Sequence, residues 1–404
     1  MKLALIIDDY LPHSTRVGAK MFHELAQELS HRGHQVTVIT PDFKSESVIT
    51  CDELDGITVW RFKSGPIKDV NKVYRAINES LLSLRAWKAI QPRVKEDSFD
   101  GVVYYSPSIF WGSLVKNIKN RCRCPAYLVL RDLFPQWVID AGMLRQGSFF
   151  EKYFRLFEHN SYAQANRIGL MSEKNLEIFQ RDNKGYPCEV LRNWADVAGH
   201  CRNEENFTSF RERLGLQGKI IFFYGGNIGH AQDMANLMRL AKNMHAHENA
   251  HFLFVGQGDE VVLINKLAQE WELTNFTYLP SVSQNEFKYI LSEVDVGLFS
   301  LSACHTAHNF PGKLLGYMVQ SLPILGSVNV GNDLLDIVNK NEAGFIHING
   351  EDEELLSSAL KLYCDEQLRL STGRQSHALL HEQFSVASAA HTIETRLEAA
   401  NALS

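Results

Sequence analysis

The stretch from Leu3 to Thr40, "LALIIDDYLPHSTRVGAKMFHELAQELSHRGHQVTVIT", decides the fold. It opens with a short apolar run that ends before Asp8 and closes with a second apolar run, "HQVTVIT". Between the two runs, from about Val17 to Arg32, apolar residues recur at helical spacing, and Gly33 follows as a helix stop. The pattern predicts a strand, a helix and a strand, which is the repeating unit of a parallel sheet.

The same unit recurs along the chain in two series. The first continues through "DGVVYY", "AYLVLR", "NRIGLM" and "CEVLR", and the second runs from "KIIFFYGG" through "AHFLFVG", "NFTYLP", "DVGLFS" and "LPILG" to "GFIHI". A polar segment near residues 193–207 belongs to neither series. We therefore predict two domains, 1–195 and 205–384, with a last helix at about 385–404 that packs back on the first domain. Each domain is predicted to be a doubly wound, Rossmann-like parallel sheet, and the two to face each other across a cleft.

The composition is that of a globular protein, with 45% hydrophobic and 22% charged residues. The chain has no run of about 18 apolar residues, and "MKLALIIDDYLP" lacks the length and the cleavage site of a signal peptide. We therefore expect a cytosolic protein. The seven cysteines are odd in number and scattered, which is typical of reduced thiols and argues against a disulfide framework.

Charge is distributed unevenly along the chain. Residues 1–200 carry 27 Lys and Arg against 23 Asp and Glu, whereas residues 201–404 carry 14 against 24. The basic excess is concentrated in residues 61–123, which hold 13 basic and 5 acidic side chains. Such a patch attracts polyanions, and an anionic membrane face fits better than nucleic acid because no pattern of interleaved aromatic and basic residues is present. A solvated helix surface is the alternative.

Two glycine-rich loops follow strands of the second series. "FFYGGNIGHAQD" places Gly225, Gly226 and Gly229 between an apolar strand and a helix predicted to begin near Ala231. "FLFVGQGDE" repeats the arrangement with glycines at 256 and 258 after the next strand. Glycines let backbone N–H groups approach an anion at a helix N-terminus, so the loops are candidate phosphate-binding loops. Tight turns that bind nothing are the alternative.

A third loop, "HNFPGKLLGYM", adds a cation. Pro311 suits the first turn of a helix, Gly312 leaves the backbone bare, and Lys313 places a positive charge beside the helix N-terminus. This lysine is the best candidate for holding a diphosphate, with a solvated surface lysine as the alternative. His305 and His308 lie beside it without acidic or thiol residues at metal-ligand spacing, so we expect no metal.

The first domain offers two strand-end loops. "DDYLPHSTRVGAK" starts a helix near Gly18, with Arg16 and Lys20 as nearby cations. "RDLFPQW" places Arg131 and Asp132 at the end of another strand. The carboxylate of Asp132 could bind a substrate hydroxyl or equally cap a turn.

Taken in order, these loops resemble glycosyltransferase family 4, whose members are retaining sugar-nucleotide transferases with the GT-B fold of two Rossmann-like domains. The resemblance covers nearly the whole chain, with "RVGAKMFHELAQELSHRGHQVTVIT" at the start, "VLRNWAD" at the hinge and "FPGKLLGYMVQSLPILG" near the end. Within the family, "RDLFPQW", "GNIGHAQD" and "HNFPGKLLGYM" are similar to stretches of bacterial N-acetyl-L-fucosamine transferases of O-antigen assembly.

Two departures from the family pattern concern the donor site. Family members carry two glutamates separated by seven residues, one near the donor sugar and one on the ribose hydroxyls, and the matching positions here are His308 and Gly316. Many members also have an arginine and a lysine where this chain has Asn227 and Gln232. Ribose binding mainly affects the Michaelis constant, and the leaving diphosphate itself takes the acceptor proton in such enzymes. The resemblance therefore implies an active site with altered donor contacts, with a degenerate site as the alternative.

The resemblance also implies a reaction and its partners. N-acetyl-L-fucosamine would move from UDP to N-acetylglucosamine linked through diphosphate to undecaprenol, on the cytoplasmic face of the inner membrane and without a metal or other cofactor. The acceptor-binding first domain would dock on anionic lipid through residues 61–123, and the second domain would bind the UDP-sugar. "FFEKYFRLFEHN" would either add an aromatic contact with lipid or form an ordinary core-facing helix. The alternatives to a transferase are a UDP-sugar 2-epimerase and a non-catalytic sugar-nucleotide binding partner in an assembly complex.

The candidate site residues fall into two groups. Those expected to act in catalysis are Lys313, Asp132 and His308. Those expected to bind substrates are Arg16, Gly18, Ala19, Lys20, Arg131, Gly226, Asn227, Gly229, Gly256, Gly258, Asn309, Pro311 and Gly312.

Overall fold

The computed structural model describes residues 1–14, 16–67, 71–140, 142–197, 209–304 and 311–402. The chain divides into two compact units. Unit 1 consists of Met1–Asn193 together with Val386–Ser404, and unit 2 consists of Trp194–Ser385. Each unit has its own sheet and its own hydrophobic core.

Unit 1 is built on an eight-stranded sheet. Its strands are β1 (Lys2–Ile6), β2 (Gln35–Asp42), β3 (Ile49–Leu54), β4 (Ile57–Lys63), β5 (Gly101–Ser106), β6 (Ala126–Leu130), β7 (Arg167–Leu170) and β8 (Cys188–Val190). They lie in the order β3-β4-β2-β1-β5-β6-β7-β8, and every pair is parallel except β3 with β4. The helices are α1 (Val17–His31), α2 (Lys72–Ser80), α3 (Leu82–Ile90), α4 (Gly112–Cys122), α5 (Gln136–Asp140), α6 (Phe149–Gln164) and α7 (Glu173–Asp182).

Unit 2 is built on a six-stranded, fully parallel sheet. Its strands are β9 (Ile220–Asn227), β10 (Ala250–Gln257), β11 (Phe276–Leu279), β12 (Val296–Ser300), β13 (Ile324–Val328) and β14 (Gly344–Ile348), in the order β11-β10-β9-β12-β13-β14. The helices are α8 (Phe210–Leu214), α9 (Met234–Asn243), α10 (Val261–Glu270), α11 (Gln284–Leu291), α12 (Gly312–Val319), α13 (Asp333–Lys340), α14 (Asp352–Cys364) and α15 (Glu366–Leu379).

The strands of unit 2 are apolar on both faces because helices cover both. Ile221 and Phe223 point into one core, and the alternating Phe222 and Tyr224 point into the other. Phe222 stacks on Phe252 of the neighbouring strand, with ring centroids 5.0 Å apart. A continuous apolar run is what a parallel strand buried on both sides requires.

The last helix, α16 (Val386–Asn401), belongs to unit 1. It packs against α1, and its buried residues include Ile393 and Leu397. Glu394 accepts hydrogen bonds from His34 Nε2 at 2.8 Å and from Arg32 Nη1 at 3.2 Å. The C-terminal segment thus completes the core and the polar surface of the unit that contains the N-terminus.

Two local features differ from the sequence-based expectation. Residues 49–63, for which no strands were predicted, form the antiparallel pair β3 and β4 at the edge of the first sheet, joined by a turn in which Asp55 and Gly56 have φ of 51° and 79°. The helix expected near Ala231 begins later, because one 3₁₀ turn (His230–Gln232) precedes α9. By contrast, α1 has almost the predicted bounds, and its chain reverses at Gly33 with φ of 87°.

In the part of the chain that the structure describes, none of the helices is both long and apolar enough to span a membrane.

The strand orders show where each sheet can bind a ligand. In unit 2 the connections run outwards from β9 in one direction and from β12 in the other, and in unit 1 they do so from β1 and β5. In such sheets ligands bind beyond the carboxyl ends of the two strands at this switch point. The loops after β9 and before α12, and those after β1 and β5, are therefore the places to examine.

Candidate functional site

The Lys313 side chain lies at the switch point of unit 2. Lys313 is the second residue of α12, and its Nζ atom lies 3.7 Å from the centroid of the Tyr224 ring on β9. A Cβ built on Gly226 would lie 3.7 Å from the same nitrogen, so the ammonium group is also next to the glycine loop. The sequence predicted that the lysine and this loop act together, and the structure brings them into contact.

The ammonium group of Lys313 is shielded from solvent and has no hydrogen-bond partner among the described residues. Burial lowers the pKa of Lys313 to about 7. A buried charge without a partner is unfavourable, and the face of an aromatic ring compensates for only part of the lost hydration. An anion bound between Gly226 and the start of α12 would supply the missing partner, since the N–H groups at a helix N-terminus also attract negative charge.

Tyr317 fixes α12 in this position. Its hydroxyl donates to the carbonyl of Leu298 at 3.1 Å and accepts from the Gly225 N–H at 3.2 Å, so it joins α12 to both strands of the switch point. The ring packs against Gly297, where an added Cβ would come within 2.4 Å of it. Sequence analysis did not identify Tyr224 or Tyr317. The available signal was position, since one directly precedes the glycine loop and the other lies one helical turn after Lys313.

The loop after β9 has the backbone freedom that the sequence predicted. Gly226 has a φ of 118°, which residues with a Cβ rarely adopt. Asn227 Nδ2 donates to Gln232 Oε1 at 2.8 Å, so the two amides that replace the family's cations bind each other. An added Cβ at Gly229 would lie 2.8 Å from both Asn227 Nδ2 and Asp259 Oδ1. At the two positions where many members of glycosyltransferase family 4 have an arginine and a lysine, this chain therefore has two amides that are bonded to each other.

Gly256 and Gly258 are explained by backbone packing. An added Cβ would come within 1.8 Å of the Gly226 carbonyl oxygen in the first case and 2.1 Å of the Ile228 carbonyl oxygen in the second. The two glycines therefore allow the loop after β10 to approach the loop after β9. The predicted substrate contacts of Gly256 and Gly258 stay a prediction.

Acidic side chains surround the start of α9. His230 Nδ1 lies 2.8 Å from Glu260 Oε1, and the other carboxylate oxygen of Glu260 accepts from the Met234 N–H at 3.0 Å. Glu260, which precedes α10, thus satisfies one of the N–H groups at the N-terminus of α9. The first turn of α12 contains no acidic side chain among the described residues.

In unit 1 the predicted contacts lie at the start of α1. Arg16 precedes the helix, and its Nε lies 3.5 Å from Asp9 Oδ2; Lys20 Nζ lies 3.4 Å from Glu24. Gly18 packs against Tyr105 at the end of β5, where an added Cβ would lie 3.0 Å from the hydroxyl oxygen, and Ala19 is buried. The two cations thus have acidic partners, and Gly18 brings the helix N-terminus close to the switch point.

Arg131, which was predicted to bind substrate, is hydrogen-bonded within unit 1. Its guanidinium donates to the carbonyl oxygens of Leu130 and Gly169, each at 3.3 Å, and of Arg192 at 3.0 Å. Burial lowers the pKa of Arg131 to about 10. The side chain therefore ties the ends of β6, β7 and β8 together. Asp132 follows it and is half-buried, and its backbone carbonyl accepts from Ser106 Oγ at 3.3 Å.

Four further candidates surround Lys313 in the sequence. Pro311 is the N-cap of α12, one residue earlier than the first-turn position that was predicted, and an added Cβ on Gly312 would have no described neighbour within 4 Å. His308 and Asn309 lie outside the described residues. At Gly316, which matches the second glutamate position of the resemblance, an added Cβ would have one described neighbour within 4 Å, the Leu291 side chain at 3.4 Å.

Known proteins resemble this chain in sequence and in fold. The family model described as Glycosyl transferases group 1 matches residues 205–378. "Probable glycosyltransferase WbjE" of Pseudomonas aeruginosa is 25% identical over 266 residues, which span 64% of this chain and 64% of that protein. WcaI of Escherichia coli K12, described as a colanic acid biosynthesis glycosyl transferase, is 23% identical over 316 residues, or 74% of this chain and 76% of that protein.

The solved structure of HepE from Anabaena in complex with UDP and glucose matches 99% of this chain and 100% of that chain, with a TM-score of 0.68 and 14% identity. This likeness confirms the predicted fold class, two doubly wound α/β domains of the GT-B type. The aligned part of the WbjE relative falls just short of two thirds of its length. The chain thus resembles the glycosyl transferases group 1 over residues 205–378, less than half of its length, and the two sequence relatives are both described as glycosyltransferases.

Proposed function

We propose that the protein is a retaining glycosyltransferase that takes its sugar from a UDP-sugar, N-acetyl-L-fucosamine in the first instance. The observation that carries the proposal is the buried Lys313 ammonium, which has no hydrogen-bond partner among the described residues and lies between Gly226 and the start of α12. A diphosphate would pair with this charge and with the backbone N–H groups around it. The fold likeness to HepE, whose structure contains UDP and glucose, supports a nucleotide at such a site.

The chemistry follows from where negative charge develops. The bond between the sugar C1 and the diphosphate oxygen breaks, and its electron pair stays on the leaving UDP. Lys313 and the N-terminus of α12 would stabilise that charge, which is the main catalytic task in this reaction. The acceptor hydroxyl forms the new bond to C1 on the same face of the sugar and passes its proton to the leaving diphosphate. No carboxylate of the chain is needed as a base.

The acceptor and the place of action complete the proposal. The relative WcaI is described as a colanic acid biosynthesis enzyme, and sequence motifs of this chain are similar to those of transferases in O-antigen assembly. We therefore assign as acceptor an N-acetylglucosamine linked through diphosphate to undecaprenol, in the assembly of a surface polysaccharide. This acceptor is a lipid, so the protein would work at the cytoplasmic face of the inner membrane.

The test is an assay of UDP release. The purified protein is incubated with a panel of UDP-sugars, with and without a synthetic diphospholipid acceptor that carries N-acetylglucosamine. We expect release of UDP that depends on the acceptor and is fastest with UDP-N-acetyl-L-fucosamine. Conversion of a UDP-sugar without acceptor would indicate a 2-epimerase, and UDP binding without turnover of any donor would indicate a binding partner; either result contradicts the proposal.

A further inference from the structure

The solvent-facing side of α2 and α3 carries an apolar stripe. Tyr74, Ile77 and Leu84 expose 59%, 54% and 64% of their surface. The Leu81 N–H bonds to the Ile77 carbonyl and the Arg85 N–H to the Leu81 carbonyl, at 3.2 and 2.9 Å, so helical hydrogen bonding continues through the junction. Spacings of three, four and three residues therefore place four apolar side chains on one face. We call this the α2–α3 stripe: Tyr74, Ile77, Leu81 and Leu84.

The first turn of α6 extends the stripe. Phe149 and Phe150 expose 77% and 64% of their surface, and the Phe149 ring stacks on Tyr153 with centroids 6.5 Å apart. The Tyr153 hydroxyl donates to Ser80 Oγ at 2.6 Å. Ser80 lies within the stripe, between its second and last members, so the aromatic turn and the stripe form one apolar surface. Further along the same helix, the Phe157 ring packs on Phe110 in the interior of unit 1.

The charges around this apolar surface are basic. Lys88, Arg145 and Lys152 are exposed. The acids on the nearest turns are engaged: Glu79 accepts from the arginine one turn before it at 2.8 Å, and Glu151 accepts from the Gly147 N–H. An apolar ridge bordered by exposed lysine and arginine is the pattern of helices that lie in the boundary layer of an anionic bilayer.

The structure also shows that some of the cations in the basic region of residues 61–123 are bonded within the fold. The Arg61 guanidinium is buried and donates to the Leu11 carbonyl, Lys119 Nζ donates to the Gln164 carbonyl at 2.6 Å, and Arg121 stacks over the Trp87 ring at 4.8 Å. These three charges hold the fold together. Beside the apolar surface, Lys88 on α3 is an exposed cation of this region, and Lys152 near the start of α6 and Arg145 in the segment before α6 are exposed as well.

We infer that the α2–α3 stripe and the Phe149–Phe150 turn form the face by which unit 1 binds an anionic lipid bilayer. The apolar side chains enter the headgroup boundary, and Lys88, Arg145 and Lys152 pair with lipid phosphates. This inference rests on the proposed function for its purpose, because a lipid-linked acceptor is reached from the membrane surface. Its physical basis is separate, since it depends on exposed apolar area and charge and not on the donor site.

The experiment is vesicle flotation of the full chain. Vesicles of phosphatidylglycerol and phosphatidylethanolamine are compared with neutral phosphatidylcholine vesicles at low and high salt. We expect binding to the anionic vesicles that weakens with salt. The double variant Ile77→Ser, Leu84→Ser should bind at least about tenfold more weakly, because two apolar side chains no longer leave water. Phe149→Ser should also weaken vesicle binding. The double variant Arg145→Gln, Lys152→Gln should weaken binding to the anionic vesicles but not to the neutral ones.

The control is a double variant of equally exposed residues in unit 2. Val262 and Leu370 expose 79% and 50% of their surface, so Val262→Ser with Leu370→Ser removes comparable apolar area elsewhere. This variant should bind vesicles like the wild type, and circular dichroism should show all variants folded. Equal binding of the two double variants would overturn the inference. So would a dimer in light scattering that the Ile77→Ser, Leu84→Ser variant abolishes, because the surface would then bind a second copy.

A second assay separates this inference from the proposed function. Acceptor-dependent UDP release is measured with a short-chain, water-soluble diphosphate acceptor in the absence of vesicles. Turnover there without vesicle binding would refute the membrane surface and leave the transferase intact. Salt-sensitive vesicle binding without turnover of any donor would refute the transferase and leave the membrane surface intact.

Discussion

In the proposed function, donor binding depends on Lys313, and the buried charge of this residue should lower the stability of the ligand-free protein. Its ammonium is buried over Tyr224 without a hydrogen-bond partner among the described residues. Lys313→Met keeps the length of the side chain and its contact with the ring but removes the charge. We expect turnover to fall roughly a hundredfold, as for loss of one transition-state contact. We also expect the ligand-free protein to unfold at a temperature a few degrees higher, since the unpaired charge is gone.

Steady-state kinetics and calorimetry check both effects. Lys266→Met, which removes an exposed lysine whose side chain is 66% accessible, is the matched control and should change neither quantity. A folded Lys313→Met enzyme with wild-type kinetics would remove this lysine from the site.

The charge state of Lys313 should make UDP binding depend on pH. Burial lowers the pKa of Lys313 to about 7, whereas a diphosphate favours the protonated form. UDP affinity should therefore fall about tenfold per pH unit above pH 7. The folded pKa is below the unfolded value, so the stability of the ligand-free protein should rise over the same range, as the folded state loses its unfavourable charge.

Titration calorimetry between pH 7 and 9 measures the affinity, in a range where phosphate groups with a second pKa of about 6 are already ionised. Lys313→Arg keeps its charge throughout and should show a flat profile. A wild-type affinity that does not change over this range would contradict the assigned charge state.

At the scale of elements, we predict that a glutamate introduced in α12 would contact the ribose of the donor. By its resemblance to glycosyltransferase family 4, Gly316 matches a glutamate that binds the ribose hydroxyls, and an added Cβ there has one described neighbour, Leu291 at 3.4 Å. Gly316→Glu should lower KM for the UDP-sugar roughly tenfold, as expected for a charged hydrogen bond, with little change in kcat. Replacing glycine inside a helix should also add about 0.5 kcal/mol of stability.

Two comparisons isolate the contact from the change in helix propensity. Gly316→Ala should reproduce the gain in stability and leave KM unchanged. A nucleotide without ribose hydroxyls should bind equally well to the Gly316→Glu variant and the wild type. If the glutamate and alanine variants have the same KM, the position does not face the ribose.

The sequence predicted elements well where stop signals and periodicity agree. Gly33 ends α1 as expected, because a positive φ is needed there. The β3–β4 pair was not predicted although Asp55-Gly56 is a strong hairpin signal, because this antiparallel pair interrupts the alternation of strands and helices along the chain. The start of α9 was misplaced by a 3₁₀ turn whose backbone bonds do not follow from residue types. Element type was thus predictable, whereas edges that depend on local bonding were not.

At the scale of the whole molecule, the sequence located the loops of the site but not the environment of each residue. Lys313 and Gly226 were assigned together because strand ends of a parallel sheet meet at one edge. The burial of Lys313 over Tyr224 and the Arg131 bonds to the carbonyls of Gly169 and Arg192 are products of tertiary packing. A sequence shows that a charge is present, but whether a ligand or the fold pairs with it depends on residues far away in the chain.

The return of the C-terminus to unit 1 gives a prediction about the stability of the two units. Leu397 on α16 is 1% exposed and contacts the position of Gly101 on β5, almost 300 residues earlier in the chain. Leu397→Ala should destabilise unit 1 by about 2–5 kcal/mol, the usual result of removing a buried leucine side chain. Unit 2 has its own core, so its unfolding transition and its stabilisation by UDP should not change.

Scanning calorimetry with and without UDP distinguishes the transitions, and Leu370→Ala, at an exposed site of unit 2, is the control. A single transition that shifts as a whole in the Leu397→Ala variant would show that the units unfold together and refute the independence of their cores.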